Sequence, residues 1–159
     1  IKGGGITEAD MFRLTANTSG GTNADITANL ERVDDATFSK IGTGMTESSG
    51  VYTFPSTGLY QVIGNATISA RSDSTAFVVV YASSDSGSNY DAVAYINGGN
   101  GNASDVKSSV FGSSFVNVTN ASTFRVKFAT VGLGSNSFVH GNTDYNYTSF
   151  IFIRLGDSQ

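Results

Sequence analysis

The sequence predicts an all-β protein built as a two-sheet antiparallel β-sandwich, and three observations favour this class. Short runs of aromatic and β-branched residues recur along the 159 residues, separated by segments rich in Gly, Ser, Thr and Asn. Only 14% of the residues are charged, which suits a neutral surface of hydroxyl and amide groups. No segment carries the sustained apolar spacing of a long helix. About eight to ten short, regularly spaced strands are typical of sandwiches and jelly rolls.

The composition argues against several classes of function. The formal net charge is −4 and Lys and Arg are not clustered, so we expect no nucleic-acid partner. No apolar run approaches the ~18 residues of a membrane span, so we expect no membrane insertion. Cysteine is absent, which removes disulfides and thiolate metal sites. Three successive glycines mark residues 1–10 as a lead-in linker, and residues 11–157 are interpreted as one domain.

The first third of the chain predicts short strands joined by loops. We expect a strand at residues 11–15 and another at residues 38–41. Residues 24–33 have some helical spacing, through Ile26, Leu30 and Val33. An extended segment is nevertheless favoured there, because the rest of the chain has β character.

Residues 50–63 give the clearest strand pattern and are interpreted as a hairpin. Tyr52 and Phe54 alternate towards one face, and residues 55–58 have the Pro and Gly of a turn. The chain then re-enters an extended run, whose core face is formed by Tyr60, Val62, Gly64, Ala66 and Ile68.

The remaining chain alternates predicted strands with polar loops. In residues 106–118, Val110, Val116 and Val118 share one side, while Phe111 and Phe115 point the other way. The predicted strands cover residues 75–82, 90–96, 106–118, 123–131 and 147–155. The predicted loops cover residues 83–89, 97–104 and 132–146.

Two of these strands are apolar on both faces, at residues 77–81 and 150–153. A monomeric sandwich needs only one buried face per strand, so either loops or a second subunit must cover the other face. Oligomerisation is favoured, because covering both strands needs a large protein surface. The candidate interface residues are Phe77, Val79, Tyr81, Ile151 and Ile153.

Candidate catalytic and metal sites are weak, so we expect no enzyme activity and no cofactor. The single histidine, His140, lies in a Gly/Asn-rich segment and is interpreted as a solvated loop residue. Adjacent Asp34 and Asp35 are read as turn formers rather than half of a glycosidase pair. A calcium site formed by the side chains of residues 142, 144 and 146 is considered, but an Asx-turn loop is favoured. Those three residues are Asn142, Asp144 and Asn146.

Binding is expected in the long polar loops. Aromatic and amide side chains together recognise sugars, since the ring stacks on C–H groups and the amide bonds hydroxyls. An equally open alternative is that these aromatic residues pack the ends of the sandwich. The candidate ligand-binding residues are Tyr90, Asn100, Phe138, Asp144 and Tyr145.

The pattern G-x-Y-x-F-x₃-G-x-Y-x-V at residues 50–62 resembles the signature of the globular head of complement C1q and its relatives. That family belongs with the tumour-necrosis-factor-like jelly rolls. Residues 124–128 resemble its penultimate core strand, and residues 142–153 resemble its Asn/Asp-rich loop and last strand. The resemblance covers about residues 11–155 and implies jelly-roll topology.

Five further segments resemble C1q-like domains of marine bacteriophages, especially cyanophages. They are residues 12–15, 29–32, 41–45, 49–58 and 152–157. Such domains are appended to virion structural proteins, so the resemblance implies a homotrimer on a virion surface or in an extracellular setting. It also implies binding to a host surface glycan or receptor rather than catalysis. The alternatives are a purely structural trimerisation domain, a polysaccharide hydrolase or lyase, and a secreted cellular C1q-like protein.

Overall fold

The computed structural model describes residues 5–71, 73, 75–99 and 107–159. Within these ranges the chain forms eleven β-strands and no helix, so no described segment could cross a bilayer as a helix. The strands are β1 (Ala9–Leu14), β2 (Leu30–Arg32), β3 (Thr46–Ser48), β4 (Val51–Thr53), β5 (Gly58–Ser69), β6 (Ala76–Ser83), β7 (Asp91–Gly98), β8 (Ser108–Val118), β9 (Arg125–Val131), β10 (Phe138–Val139) and β11 (Ser149–Gly156).

The strands form two antiparallel sheets that pack face to face. The first sheet has the order β2–β1–β11–β5–β8, with β10 beside β5 beyond the end of β11. The second sheet has the order β3–β4–β9–β6–β7. The predicted class, an all-β antiparallel two-sheet sandwich with jelly-roll topology, is therefore confirmed.

The predicted hairpin at residues 50–63 is wrong. β4 pairs with β3 and β9 in the second sheet, whereas β5 pairs with β8, β10 and β11 in the first. Residues 54–57 thus carry the chain across the sandwich rather than turning it back. Both strands do alternate towards the same core, but they approach it from opposite sheets, so Tyr52 and Tyr60 are buried on facing walls.

An aromatic cluster fills the centre of the sandwich. The Tyr52 ring lies 5.0 Å from both Phe12 and Phe152, measured between centroids, and Phe128 stacks on Phe150 at 3.8 Å. These rings come from both sheets, so they join the two layers. Gly64 is needed beside them, because a Cβ atom there would stand 2.4 Å from Ile96 Cδ1.

Several predicted element boundaries require correction. β1 begins at Ala9, so two residues of the predicted lead-in belong to the sheet, and one of them, Asp10, is buried. Residues 38–41 form no strand. Only Ile41 pairs with Ala9, because β2 and β11 already flank the rest of β1. The predicted loop at 132–146 contains β10. The extended prediction for residues 24–33 is confirmed by β2 and by the bridge between Asp25 and Ala129.

Candidate binding surfaces

The outer face of the first sheet is an apolar surface. Strand register places Ile153 and Phe115 in one cross-strand row, and Met11, Ile151 and Ile63 in the next. Phe111 stands one row further along β8. We call this set the apolar face; it comprises Met11, Ile63, Phe111, Phe115, Ile151 and Ile153.

Two phenylalanines of this face are unusually open to solvent. Phe111 is 76% exposed and Phe115 is 63% exposed, whereas Ile151 and Ile153 are half-buried. Side chains alternate between the two faces along β11, β5 and β8, and none of the side chains on the outward face of these three strands is charged. Exposed apolar patches that lack charge are typical of protein interaction sites.

The other three predicted interface residues lie on the opposite side of the molecule. Phe77 and Tyr81 are half-buried on the outer face of the second sheet. Val79 lies between them and is completely buried within the single chain, so another subunit cannot bury it further. Its neighbours across the sheet are Tyr95 and Ala129, which supply that cover. The proposed contact role of Val79 is therefore wrong.

A second aromatic group lies near the end of β5. Phe138 packs against His140 with ring centroids 4.7 Å apart, and His140 packs against Tyr147 at 5.4 Å. Tyr145 extends the row, 5.0 Å from Tyr147, and is half exposed. The predicted ligand residues Phe138 and Tyr145 thus belong to one aromatic group, at its two ends, and Tyr145 is the more exposed of the two.

His140 is buried, so its interpretation as a solvated loop residue is wrong. Its backbone N–H donates to the Thr67 carbonyl at 2.8 Å, which holds the residue beside β5. Its Nε2 atom lies 2.7 Å from Ser69 Oγ. Among the described residues no carboxylate bonds to His140, and Ser69 is itself buried. This serine–histidine pair therefore lacks both an orienting acid and access to substrate.

Burial lowers the pKa of His140, and the positive charges of Lys107 and Arg71 lower it further. The folded state therefore binds a proton at lower pH than the unfolded state does. We expect stability to be unaffected by this group above about pH 6.5. Below it, stability should fall by up to ~1.4 kcal/mol per pH unit until the folded pKa is reached. Chemical denaturation between about pH 5 and 7 measures this slope.

The control for this prediction is His140→Gln, which removes the only histidine of the chain. Its free energy of unfolding should be lower overall but nearly independent of pH between about 5 and 6.5. An unchanged slope in the variant would show that other groups cause the acid sensitivity.

The three residues considered for calcium make other contacts. Asn142 Oδ1 accepts hydrogen bonds from the backbone N–H groups of Asp144 and Tyr145, at 2.7 and 3.3 Å. The side-chain amide of Asn146 donates to Met11 Sδ at 3.3 Å. The two hydrogen bonds that Asn142 Oδ1 accepts form an Asx turn. No group of three or more His, Cys, Asp or Glu side chains suited to a metal occurs in the described part of the chain.

Tyr90 lies apart from the other predicted ligand residues, on the outer face of the second sheet. Lys127 Nζ stands 4.2 Å from its ring centroid. The preceding loop, residues 83–89, is tied by Asp85. Hydrogen bonds from the Asn89 backbone, the Asn89 amide and Ser83 lower the Asp85 pKa to about 2. Asn100, the remaining candidate, lies outside the described residues.

Phe111 and Phe115, the most exposed large apolar residues that the structure describes, were not among the predicted interface residues. Their alternation with Val110, Val116 and Val118 already placed them on the non-core side of a strand. That pattern alone could have identified them, because a large aromatic side chain at an outward strand position loses favourable burial unless something covers it.

The comparisons with known proteins found matches among solved structures. No family model and no curated protein sequence matches it. The Eiger TNF structure from S. frugiperda is 13% identical in sequence to this chain. The match covers 98% of this chain and 96% of the Eiger chain, with a TM-score of 0.70. The structure of murine APRIL at pH 8.0 is 11% identical in sequence. Its match covers 93% of this chain and 98% of the APRIL chain, with a TM-score of 0.66. The PRD1 vertex protein P5 is 17% identical in sequence. Its match covers 96% of this chain and 100% of the P5 chain, with a TM-score of 0.53. The chain therefore has a TNF-like jelly-roll fold.

Proposed function

We propose that the protein is a non-enzymatic structural and adhesion module that assembles as a homotrimer. The observation that carries this proposal is the apolar face, where Phe111 and Phe115 stand exposed on the edge strand β8. Fully burying one phenylalanine side chain contributes about 1.5–3 kcal/mol, so covering two of them in each chain is a substantial driving force for association. A second copy of the chain is the occupant that fits best, because the TNF-like fold neighbours suggest self-association.

The setting proposed for this trimer is a virion surface, as the knob of a phage fibre or another appendage. The resemblance to phage C1q-like domains supports it, as does the fold likeness to a vertex protein of PRD1. The ligand proposed is a host surface glycan or receptor. Three weak sites on one rigid trimer would hold a repetitive surface far better than one site does.

The oligomeric state in solution tests the assembly. Sedimentation equilibrium of the wild-type protein should give a mass about three times the 16.5 kDa of one chain. Phe115→Asp places a carboxylate in the apolar face, where association would have to bury an unpaired charge. We expect this variant to be monomeric at micromolar concentration.

Tyr95→Asp is the matched control, because Tyr95 is an aromatic residue exposed to a similar degree, 60%, on the opposite sheet. It should leave the trimer intact. A monomeric wild-type protein, or dissociation by Tyr95→Asp and not by Phe115→Asp, would overturn the proposed assembly. A glycan array probed with intact trimer tests adhesion, and no binding there would leave a purely structural trimerisation domain.

A further inference from the structure

The outer face of the second sheet contains a groove. This groove is separate from the apolar face, which lies on the first sheet. It has a volume of about 370 Å³. Asp25 and the neighbouring residues 23–24 form one wall, Tyr81 and Tyr90 form the other, and Lys127 and Ala129 of β9 lie between them. Because the two faces lie on opposite sides of the sandwich, the groove and the apolar face share no residue. We call it the tyrosine groove.

The charged pair in this groove is held at several points. Lys127 Nζ donates to Asp25 Oδ2 at 2.9 Å, and it also lies 4.2 Å from the Tyr90 ring centroid and 5.6 Å from that of Tyr81. An isolated surface ion pair usually leaves a long lysine side chain mobile. Here two aromatic faces and one carboxylate fix the ammonium group in advance of any ligand.

Several polar atoms of the groove have no partner among the residues that the structure describes. They are the second carboxylate oxygen of Asp25 and the phenol hydroxyls of Tyr81 and Tyr90. Other polar groups nearby are used by the fold itself. Asn23 exchanges hydrogen bonds with the backbone of Leu133, and the Thr130 hydroxyl donates to the Thr22 and Ala24 carbonyls. The described part of the fold therefore uses neither this carboxylate oxygen nor the two hydroxyls in a hydrogen bond.

This chemistry matches a neutral sugar ring better than an anion. The groove contains one carboxylate and one ammonium, so it has no net charge, and an anionic group would have to displace Asp25 from Lys127. A pyranose offers vicinal hydroxyls, which could bond the carboxylate and the ammonium together, and a C–H face that packs on tyrosine. Pockets with apolar walls and a few convergent polar groups are the usual form of small-ligand sites.

We infer that the tyrosine groove binds one neutral pyranose residue of a glycan, with Asp25 and Lys127 bonding its hydroxyls and the ring of Tyr81, the tyrosine farther from the ammonium, packing on its C–H face. The inference rests on the proposed adhesive function for its biological use. All the residues that line the groove belong to a single chain. A trimer would carry three such grooves, one on each chain.

NMR titration of the 159-residue chain with three neutral glycosides tests the inference. The glycosides are methyl α-D-mannopyranoside, methyl β-D-galactopyranoside and methyl β-D-glucopyranoside. Sodium glucuronate serves as the anionic comparison. At least one neutral glycoside should shift the aromatic signals of Tyr81 and Tyr90 with a dissociation constant in the millimolar range. Lys127→Met should weaken that binding at least about tenfold, because one charge-assisted hydrogen bond to the sugar is lost.

Two further variants keep the test decisive. Tyr90→Phe keeps the ring and removes only the hydroxyl, so it should fold normally and weaken binding about threefold to tenfold. Tyr95→Ala changes an exposed tyrosine that does not line the groove and should bind as the wild type does. No shift with any neutral glycoside, tightest binding of glucuronate, or equal loss in Tyr95→Ala would each overturn the inference. The monomeric variant Phe115→Asp should bind the sugar as the wild type does, because Phe115 does not line the groove. This measurement distinguishes a failure of sugar binding from a failure of assembly.

Discussion

Replacing Phe150 by alanine is expected to lower the free energy of unfolding by about 3–5 kcal/mol, enough to unfold a marginally stable domain. Phe150 is fully buried and stacks on Phe128 at 3.8 Å across the two sheets. Its removal would leave a cavity beside Tyr52, whose ring centroid is 6.4 Å away. Urea denaturation at one fixed protein concentration measures the loss, since association would otherwise shift the apparent stability.

The counterpart of that variant is Tyr52→Phe, which keeps the central ring and removes only its hydroxyl. The Tyr52 hydroxyl is buried without a hydrogen-bond partner among the described residues, and burial raises its pKa far above the ordinary value. Its removal is expected to raise the free energy of unfolding by about 1 kcal/mol. A loss of stability in Tyr52→Phe, or a loss below about 1 kcal/mol in Phe150→Ala, would contradict this account of the core.

Asp10→Ala is expected to cost about 3 kcal/mol of stability, because Asp10 is a buried carboxylate that joins three parts of the chain. Its oxygens accept hydrogen bonds from Arg32 Nε at 3.1 and 3.2 Å and from the Met45 backbone N–H at 2.8 Å. The variant would leave the Met45 N–H without its acceptor and Arg32 without its counter-charge. Thermal or urea denaturation measures the effect.

Two comparisons separate this contribution from a general effect of removing acids. Asp10→Asn keeps one acceptor oxygen and should cost less than Asp10→Ala. Asp144→Ala removes an exposed carboxylate that accepts one long hydrogen bond, from Thr143 Oγ1 at 3.5 Å, among the described residues. It should change stability by less than about 0.5 kcal/mol. Equal losses at Asp10 and Asp144 would mean that the buried pairs contribute nothing specific.

The core could be predicted largely from alternation along single strands. The spacing assigns Tyr60, Val62, Ala66 and Ile68 to the core, and all four are buried. Pairing between strands could not be predicted in the same way. Residues 50–63 have the composition of a hairpin, yet their two strands join different sheets, because a Pro–Gly segment permits a crossing as readily as a turn.

The candidate sites were predicted less well for a related reason. Val79 and Ile151 have the same apolar character in the sequence, but neighbouring strands cover Val79 and leave Ile151 partly open. His140 lies in a Gly/Asn-rich segment typical of exposed loops, and the pairing of β10 with β5 draws it into the interior. The tyrosine groove requires Asp25, Tyr81 and Lys127 together, although they are far apart in the chain.

The sequence by itself determined the fold class, because the period-two alternation of apolar residues and the Gly- and Asn-rich breaks are local properties of the chain. It also determined which faces of most strands enter the core. Only the tertiary structure decided which strands are neighbours, which apolar side chains their neighbours cover, and which distant residues meet in one groove. Those outcomes depend on contacts between segments many residues apart, and the exposed Phe111 and Phe115 are recognised as a surface only when such contacts are known.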